Sequence, residues 1–231
     1  MDQSSITERW QKVLEQMAAA ARRAGRSPDS ARLLAVSKLH SAHGIQTLFE
    51  AGQSMFGENY VQEALGKMAI LPREISWHLI GHLQTNKVKS VVGRFALIHG
   101  VDSLKLARSL HGQAEAMDVV QDVLVQVNLA EEKQKSGILV SELPPLAEFL
   151  ARGTRLRWRG LMLMPPFFDD PDRARPYFAR LRELAEALRT DFGLALPELS
   201  MGMTGDFEAA IEEGATLVRI GTRIFGERGS N

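Results

Sequence analysis

Apolar positions along the chain fall into short runs that alternate with longer helical stripes. The first stripe is Ile6, Trp10, Val13, Leu14, Met17 and Ala21, spaced along one helical face. Ser5 and Glu8 stand at the S-x-x-E spacing of a capping box, in which each side chain satisfies a first-turn amide. Gly25 and Ser27-Pro28 end this helix. Runs of strand length then recur eight times, at 33–37, 54–57, 75–80, 96–101, 123–127, 160–164, 198–201 and 216–220. Helical periodicity fills the intervals, at 45–51, 60–69, 85–92, 103–117, 143–151, 171–191 and 206–213. Strand–helix alternation implies parallel strands joined by right-handed crossovers. Eight strands in so short a chain predict an α/β fold, a single-domain (β/α)8 TIM barrel over residues 1–231 with an extra N-terminal helix. A doubly wound open sheet is the alternative. No composition break divides the chain, and residues 221–231 leave no room for a sizeable second domain.

Composition narrows the function. The 231 residues are 45% hydrophobic and 24% charged, a globular balance rather than a disordered one. The absence of Cys excludes a disulfide scaffold, a thiolate metal site and a cysteine nucleophile. Equal numbers of basic and acidic residues, 28 of each, argue against general nucleic-acid binding, which needs a basic surface. The opening Met1-Asp2-Gln3-Ser4-Ser5 has no basic or apolar leader character, and the early apolar run 17–21 is far short of the roughly 20 residues of a membrane span. A cytoplasmic protein with no membrane partner is expected.

Barrel chemistry sits at the C-terminal strand ends, with phosphate often held after strands seven and eight. Strand seven runs into Ser200-Met201-Gly202-Met203-Thr204-Gly205-Asp206 and strand eight into Gly221-Thr222. Each loop alone reads as ordinary turn and N-cap chemistry. Together, with glycines for close approach, hydroxyl donors and helix starts, they predict a phosphate cup. On strand one, Leu34, Val36 and Lys38 share a face. If that face looks inward, burial lowers the Lys38 pKa and makes it an amine nucleophile; otherwise Lys38 is a solvated strand end. Leu217 and Arg219 repeat this geometry on strand eight, with a solvated arginine as the plain alternative. An amine, an inward guanidinium and a phosphate cup suit an aldehyde cofactor bearing a phosphate, and pyridoxal 5'-phosphate (PLP) has all three complements.

Other strand-end residues are open to two readings. Asn59 either bonds a ring hydroxyl or caps the next helix. His78 either lines the cavity or is a satisfied core histidine. His78 and His82 lack a carboxylate partner and a shared helix, so no metal is expected. Met164 either packs in the core or touches a flat ring. Thr85-Asn86-Lys87-Val88-Lys89 and Lys133-Gln134-Lys135-Ser136-Gly137 read as solvated basic clusters, or as an accessory anion site.

The chain resembles the pyridoxal phosphate homeostasis proteins, the YggS/PROSC group of PLP-binding barrels. The matching segments are Leu34-Ala35-Val36-Ser37-Lys38, Phe56-Gly57-Glu58-Asn59-Tyr60-Val61-Gln62-Glu63 and Trp77-His78-Leu79-Ile80-Gly81-His82-Leu83-Gln84-Thr85-Asn86-Lys87. They continue with Gln126-Val127-Asn128, Lys135-Ser136-Gly137, Arg159-Gly160-Leu161-Met162, Leu199-Ser200-Met201-Gly202-Met203 and Val218-Arg219-Ile220-Gly221-Thr222. The resemblance implies a fold-type III PLP barrel like that of alanine racemase. It implies Lys38 as the Schiff-base lysine, Arg219 facing the pyridine nitrogen, and Ser200, Gly221 and Thr222 on the phosphate with Thr204 nearby. Asn59, His78, Met164 and Met201 complete the expected cofactor set. Thr204 departs from the family's usual serine but keeps the hydroxyl. The implied role is PLP (vitamin B6) homeostasis without an established reaction.

Three functions remain at this point. The first is a non-catalytic PLP carrier, a monomer that supplies PLP-dependent apo-enzymes. The second is a PLP enzyme on amino acids, a weak racemase. The third is a PLP-free Schiff-base lyase on a sugar phosphate. An arginine at the ring nitrogen disfavours its protonation and weakens the ring as an electron sink, which favours the carrier. Racemisation also needs an acid–base pair across the substrate carbon. Only Tyr60 and Tyr177 are available as tyrosines, and Tyr60 alone follows a strand end.

Overall fold

The computed structural model describes residues 3–132, 134–153 and 155–226, with only the backbone of residues 3 and 4. All eight expected strands are present: β1 (Arg32–Val36), β2 (Met55–Glu58), β3 (Ser76–Leu79), β4 (Leu97–Val101), β5 (Gln121–Val127), β6 (Leu156–Leu163), β7 (Glu198–Ser200) and β8 (Leu217–Ile220). They pair in sequence order, every pair parallel, and β8 closes on β1 with Leu34 opposite Arg219. The closed barrel sets the open doubly wound sheet aside.

The helices are α1 (Gln3–Arg23), α2 (Ala42–Glu50), α3 (Val61–Met68), α4 (Leu104–Ala116), α5 (Leu143–Ala151), α6 (Arg175–Phe192), α7 (Phe207–Glu212) and α8 (Thr222–Phe225). Two expectations about them change. Thr85–Ser90 winds as a 3-10 helix, not an α-helix. The capping box at Ser5 is displaced, because α1 already runs from Gln3 and the Ser5 hydroxyl, inside the first turn, accepts from Arg9 at 3.0 Å. Gly25 closes α1 as expected, with left-handed φ and a return bond from the Arg26 amide to the Ala21 carbonyl.

Strand alternation builds two cores. Outward residues such as Ala35, Phe56, Trp77 and Val125 join the helices in one large apolar layer. Inward residues form smaller clusters: Leu34, Val36 and Ile80 in one, and Leu97, Leu124, Met162 and Leu217 in another, with Met55 touching both. The strand β6 begins four residues earlier than its apolar run suggests. Arg157 pairs with Asp122 on β5 at 2.6 Å while Trp158 is buried in the outer layer, so the alternation is real but carries charge. The register slips between Trp158 and Gly160. At Gly160, with φ of 148°, an added Cβ would lie 1.9 Å from the Glu198 carbonyl oxygen. Only glycine lets β6 and β7 approach this closely.

Candidate functional site

The C-terminal strand ends surround a cavity of about 700 Å³. Of the expected residues, Lys38, Asn59, Met164, Thr204, Arg219, Gly221 and Thr222 line it. His78, Ser200 and Met201 do not.

Lys38 sits in the turn after β1, and α3 holds that turn. The α3 residue Lys67 donates from Nζ to the Ser37 carbonyl at 2.7 Å, to Glu58 Oε1 at 2.7 Å and to Glu63 Oε1 at 2.6 Å. Ser37 Oγ donates to the same Glu58 oxygen at 2.6 Å, and Glu63 Oε1 accepts from the Leu39 amide at 2.6 Å. Leu39 has φ of 62°, a left-handed conformation that costs a residue with a side chain roughly 1–2 kcal/mol. Bonds on both sides of Lys38 thus fix the backbone from which it enters the cavity. Glu58 is fully buried, and burial pushes its carboxyl above the ordinary range despite the bonds from Lys67 and Ser37.

Asn59 follows β2 and caps nothing: the N-cap of α3 is Tyr60, which makes no side-chain cap bond. The Asn59 Oδ1 is buried without a hydrogen-bond partner among the described residues. Its backbone lies where a Cβ on Gly81 would be 2.3 Å from the Asn59 carbonyl, so the glycine after β3 admits it.

Arg219 is inward on β8 and 4% exposed. It donates from Nη1 to Ser200 Oγ at 2.7 Å and from Nη2 to the Leu163 carbonyl at 2.9 Å. Burial lowers its pKa to about 10, with Asp206 opposing from a distance. Ser200 therefore faces the barrel interior, where its hydroxyl is engaged by Arg219 and by His99 Nδ1 at 2.9 Å. Met201 belongs to the outer apolar layer, so its side chain is turned away from the cavity. His78 is buried below the cavity, with Nδ1 3.0 Å from His99 Nε2. His82, by contrast, lies at the rim 3.3 Å from Asp102, so the two histidines of that segment have separate partners.

The loop after β7 is tied by the Met203 amide to Asp206 Oδ1 at 2.6 Å, and it brings Thr204, Gly205 and Asp206 to the cavity. Burial raises the Asp206 carboxyl pKa. Gly221 and Thr222 come from the start of α8. Lys135 also lines the cavity, donating to the Pro165 carbonyl at 3.1 Å and pairing with Glu132 at 2.6 Å; Lys133 of the same cluster lies outside the described residues. Lys87 and Lys89 are away from the cavity.

Sequence reasoning missed His99. The alternation that turns Arg219 inward also turns Leu97 and His99 inward on β4, so a signal existed. It also missed Lys67, whose partners lie in the preceding turn and strand.

Comparison with known proteins gives a consistent picture. The family model of the alanine racemase N-terminal domain matches residues 10–229. The pyridoxal phosphate homeostasis protein of Aquifex aeolicus is 45% identical over 222 residues, covering 96% of this chain and 97% of its own. PipY of Synechococcus elongatus, solved with PLP bound, is 37% identical with a TM-score of 0.82, covering 96% of this chain and all of its own. Alanine racemase from Corynebacterium glutamicum shares the fold, with a TM-score of 0.74 at 19% identity, this chain covering 63% of that one.

Proposed function

The chain belongs to the alanine racemase N-terminal domain family and, within it, to the pyridoxal phosphate homeostasis proteins; on that premise we propose that it binds PLP in the barrel-mouth cavity and serves PLP homeostasis as a carrier. The observation that carries the reading is the convergence on one cavity of Lys38, Asn59, Arg219 and the loops bearing Thr204, Gly221 and Thr222. The residues present fit the cofactor. Asn59 Oδ1 is a buried acceptor in need of a donor, and the ring hydroxyl of PLP supplies one. Bound PLP brings an aldehyde carbon that condenses with an amine, releasing water. Lys38 offers that amine from a braced turn. Arg219 presents a guanidinium to the ring nitrogen, and Thr204, Gly221 and Thr222 receive the phosphate. Ser200 acts through Arg219, and Met201, packed in the outer apolar layer, takes no part.

Carriage without turnover is supported by two features. A cation at the ring nitrogen opposes its protonation. Neither tyrosine of the chain lines the cavity, and Tyr177 instead lies 5.9 Å from the Phe168 ring. The same reading makes the protein a cytoplasmic monomer that supplies PLP-dependent apo-enzymes. No helix of the described residues is long and apolar enough to cross a membrane.

The test is the absorption spectrum of purified protein with PLP, with and without Lys38→Ala. A visible band lost in the variant is expected. No band in the unsubstituted protein overturns the covalent assignment and brings forward a sugar-phosphate lyase. Incubation with L-alanine or L-serine and chiral analysis tests the rest: robust turnover abolished by Lys38→Ala sinks the carrier-only reading in favour of a racemase.

A further inference from the structure

A row of polar side chains leads from Arg219 at the cavity down into the barrel, and the cofactor reading does not use its histidines. Ser76 and His78 stand on β3, His99 on β4, Ser200 on β7 and Arg219 on β8. They are linked in series: Arg219 Nη1 to Ser200 Oγ at 2.7 Å, Ser200 Oγ to His99 Nδ1 at 2.9 Å, His99 Nε2 to His78 Nδ1 at 3.0 Å, and His78 Nε2 to Ser76 Oγ at 3.4 Å.

One end sets the direction of the whole series. A guanidinium has donors and no acceptor, so Ser200 Oγ accepts from Arg219. The hydroxyl keeps one proton to give, and His99 Nδ1 is its remaining partner among the described residues. Reversing that link leaves a fully buried hydroxyl proton with no acceptor. His99 therefore accepts at Nδ1, carries its proton on Nε2 and donates to His78 Nδ1. His78 in turn carries its proton on Nε2 and donates to Ser76. Both rings are neutral in this arrangement, in keeping with their burial.

Every donor in the series points away from Arg219, so its dipoles present their negative ends to the guanidinium. No carboxylate among the described residues forms an ion pair with Arg219. Asp206 acts on it only at longer range, and Arg32 is the outside charge felt by His78. We propose that His99, backed by His78, is a positioning residue that acts through Ser200 to hold Arg219 as a correctly aimed cation at the cavity wall. This rests on the PLP reading above for its consequence: an Arg219 so held keeps the ring nitrogen of the bound cofactor unprotonated.

The experiment has one arm without cofactor and one with it. Long-range 1H–15N NMR of the cofactor-free protein, labelled in histidine, is expected to show two neutral Nε2–H rings for His78 and His99 at pH 7. A charged ring or an Nδ1–H ring at either position overturns the proposal whether or not PLP binds. In the second arm, pyridoxine 5'-phosphate, which lacks the aldehyde, is titrated into the unsubstituted protein, His99→Phe, His99→Gln and Ser200→Ala. Absorbance follows protonation of the bound ring nitrogen against pH. The titration is expected to move up by about one pH unit in His99→Phe and Ser200→Ala, a roughly tenfold change in the protonation ratio. His99→Gln keeps an acceptor for Ser200 and is expected to restore the original profile. An unchanged titration in both Ser200→Ala and His99→Phe, with the NMR pattern as stated, overturns the coupling. Failure of the unsubstituted protein to bind the probe counts instead against the PLP reading, and the NMR arm still decides the series.

Discussion

Asn59 is a residue whose cost and use separate cleanly. Its amide oxygen is buried with no bond to lose among the described residues, so Asn59→Ala removes an unsatisfied acceptor. Differential scanning calorimetry is expected to show unchanged or slightly raised stability. Fluorescence titration is expected to show PLP affinity reduced about tenfold, the worth of roughly one hydrogen bond of 1–1.5 kcal/mol. A loss of stability instead would mark Asn59 as structural. The inward position of Arg219 was legible because strand alternation is a local rule, whereas Lys38 lies in the turn beyond β1, where alternation no longer holds. The partners of Ser200 were not, since Arg219 and His99 stand 19 and 101 residues away in sequence and only barrel closure joins them. The same gap explains why Ser200, expected at the phosphate, faces the interior instead.

Elements in this barrel are held by specific side chains at their ends. The helix α3 braces the Lys38 turn through Lys67, 9% exposed against a fully buried Glu58 side chain. Lys67→Met strands that carboxylate, and urea denaturation is expected to show a loss of about 3 kcal/mol. Adding Glu58→Gln is expected to recover part of it. The contact between β6 and β7 depends on Gly160 in the same way. Gly160→Ala combines a steric overlap with a backbone conformation foreign to alanine, and a loss of about 3 kcal/mol or more is expected in the same assay. Strand number and order were readable from apolar runs, whereas the start of β6 was hidden by Arg157 and Arg159. A charge at the exposed start of a strand breaks an apolar run without breaking the strand. The first turn of α1 was misplaced for a related reason: Ser5 fits a cap by spacing alone, and spacing does not say where a helix begins.

For the molecule as a whole, the interior polar series ties stability to pH. His78 is held down to about pKa 4, chiefly by burial, against an ordinary value of 6.5. An unfolded chain takes up this proton before the native one does, so between those values stability falls as pH falls. The His78 contribution is on the order of 3 kcal/mol, fully present above pH 6.5 and exhausted near pH 4. Chemical denaturation across this range is expected to show the decline, and His78→Phe is expected to make it shallower, with His99, also held well below its ordinary pKa by burial, carrying the rest. Closure has a further consequence, in the order of synthesis. Lys38 leaves the ribosome early, while Arg219, Gly221 and Thr222 leave among the last parts of the barrel, and β1 must wait for β8 before its edge is paired. A nascent chain thus carries the amine long before it has walls around it. On the PLP reading, loading with cofactor belongs after translation, and a chain stalled before β8 lacks the wall that Arg219, Gly221 and Thr222 supply.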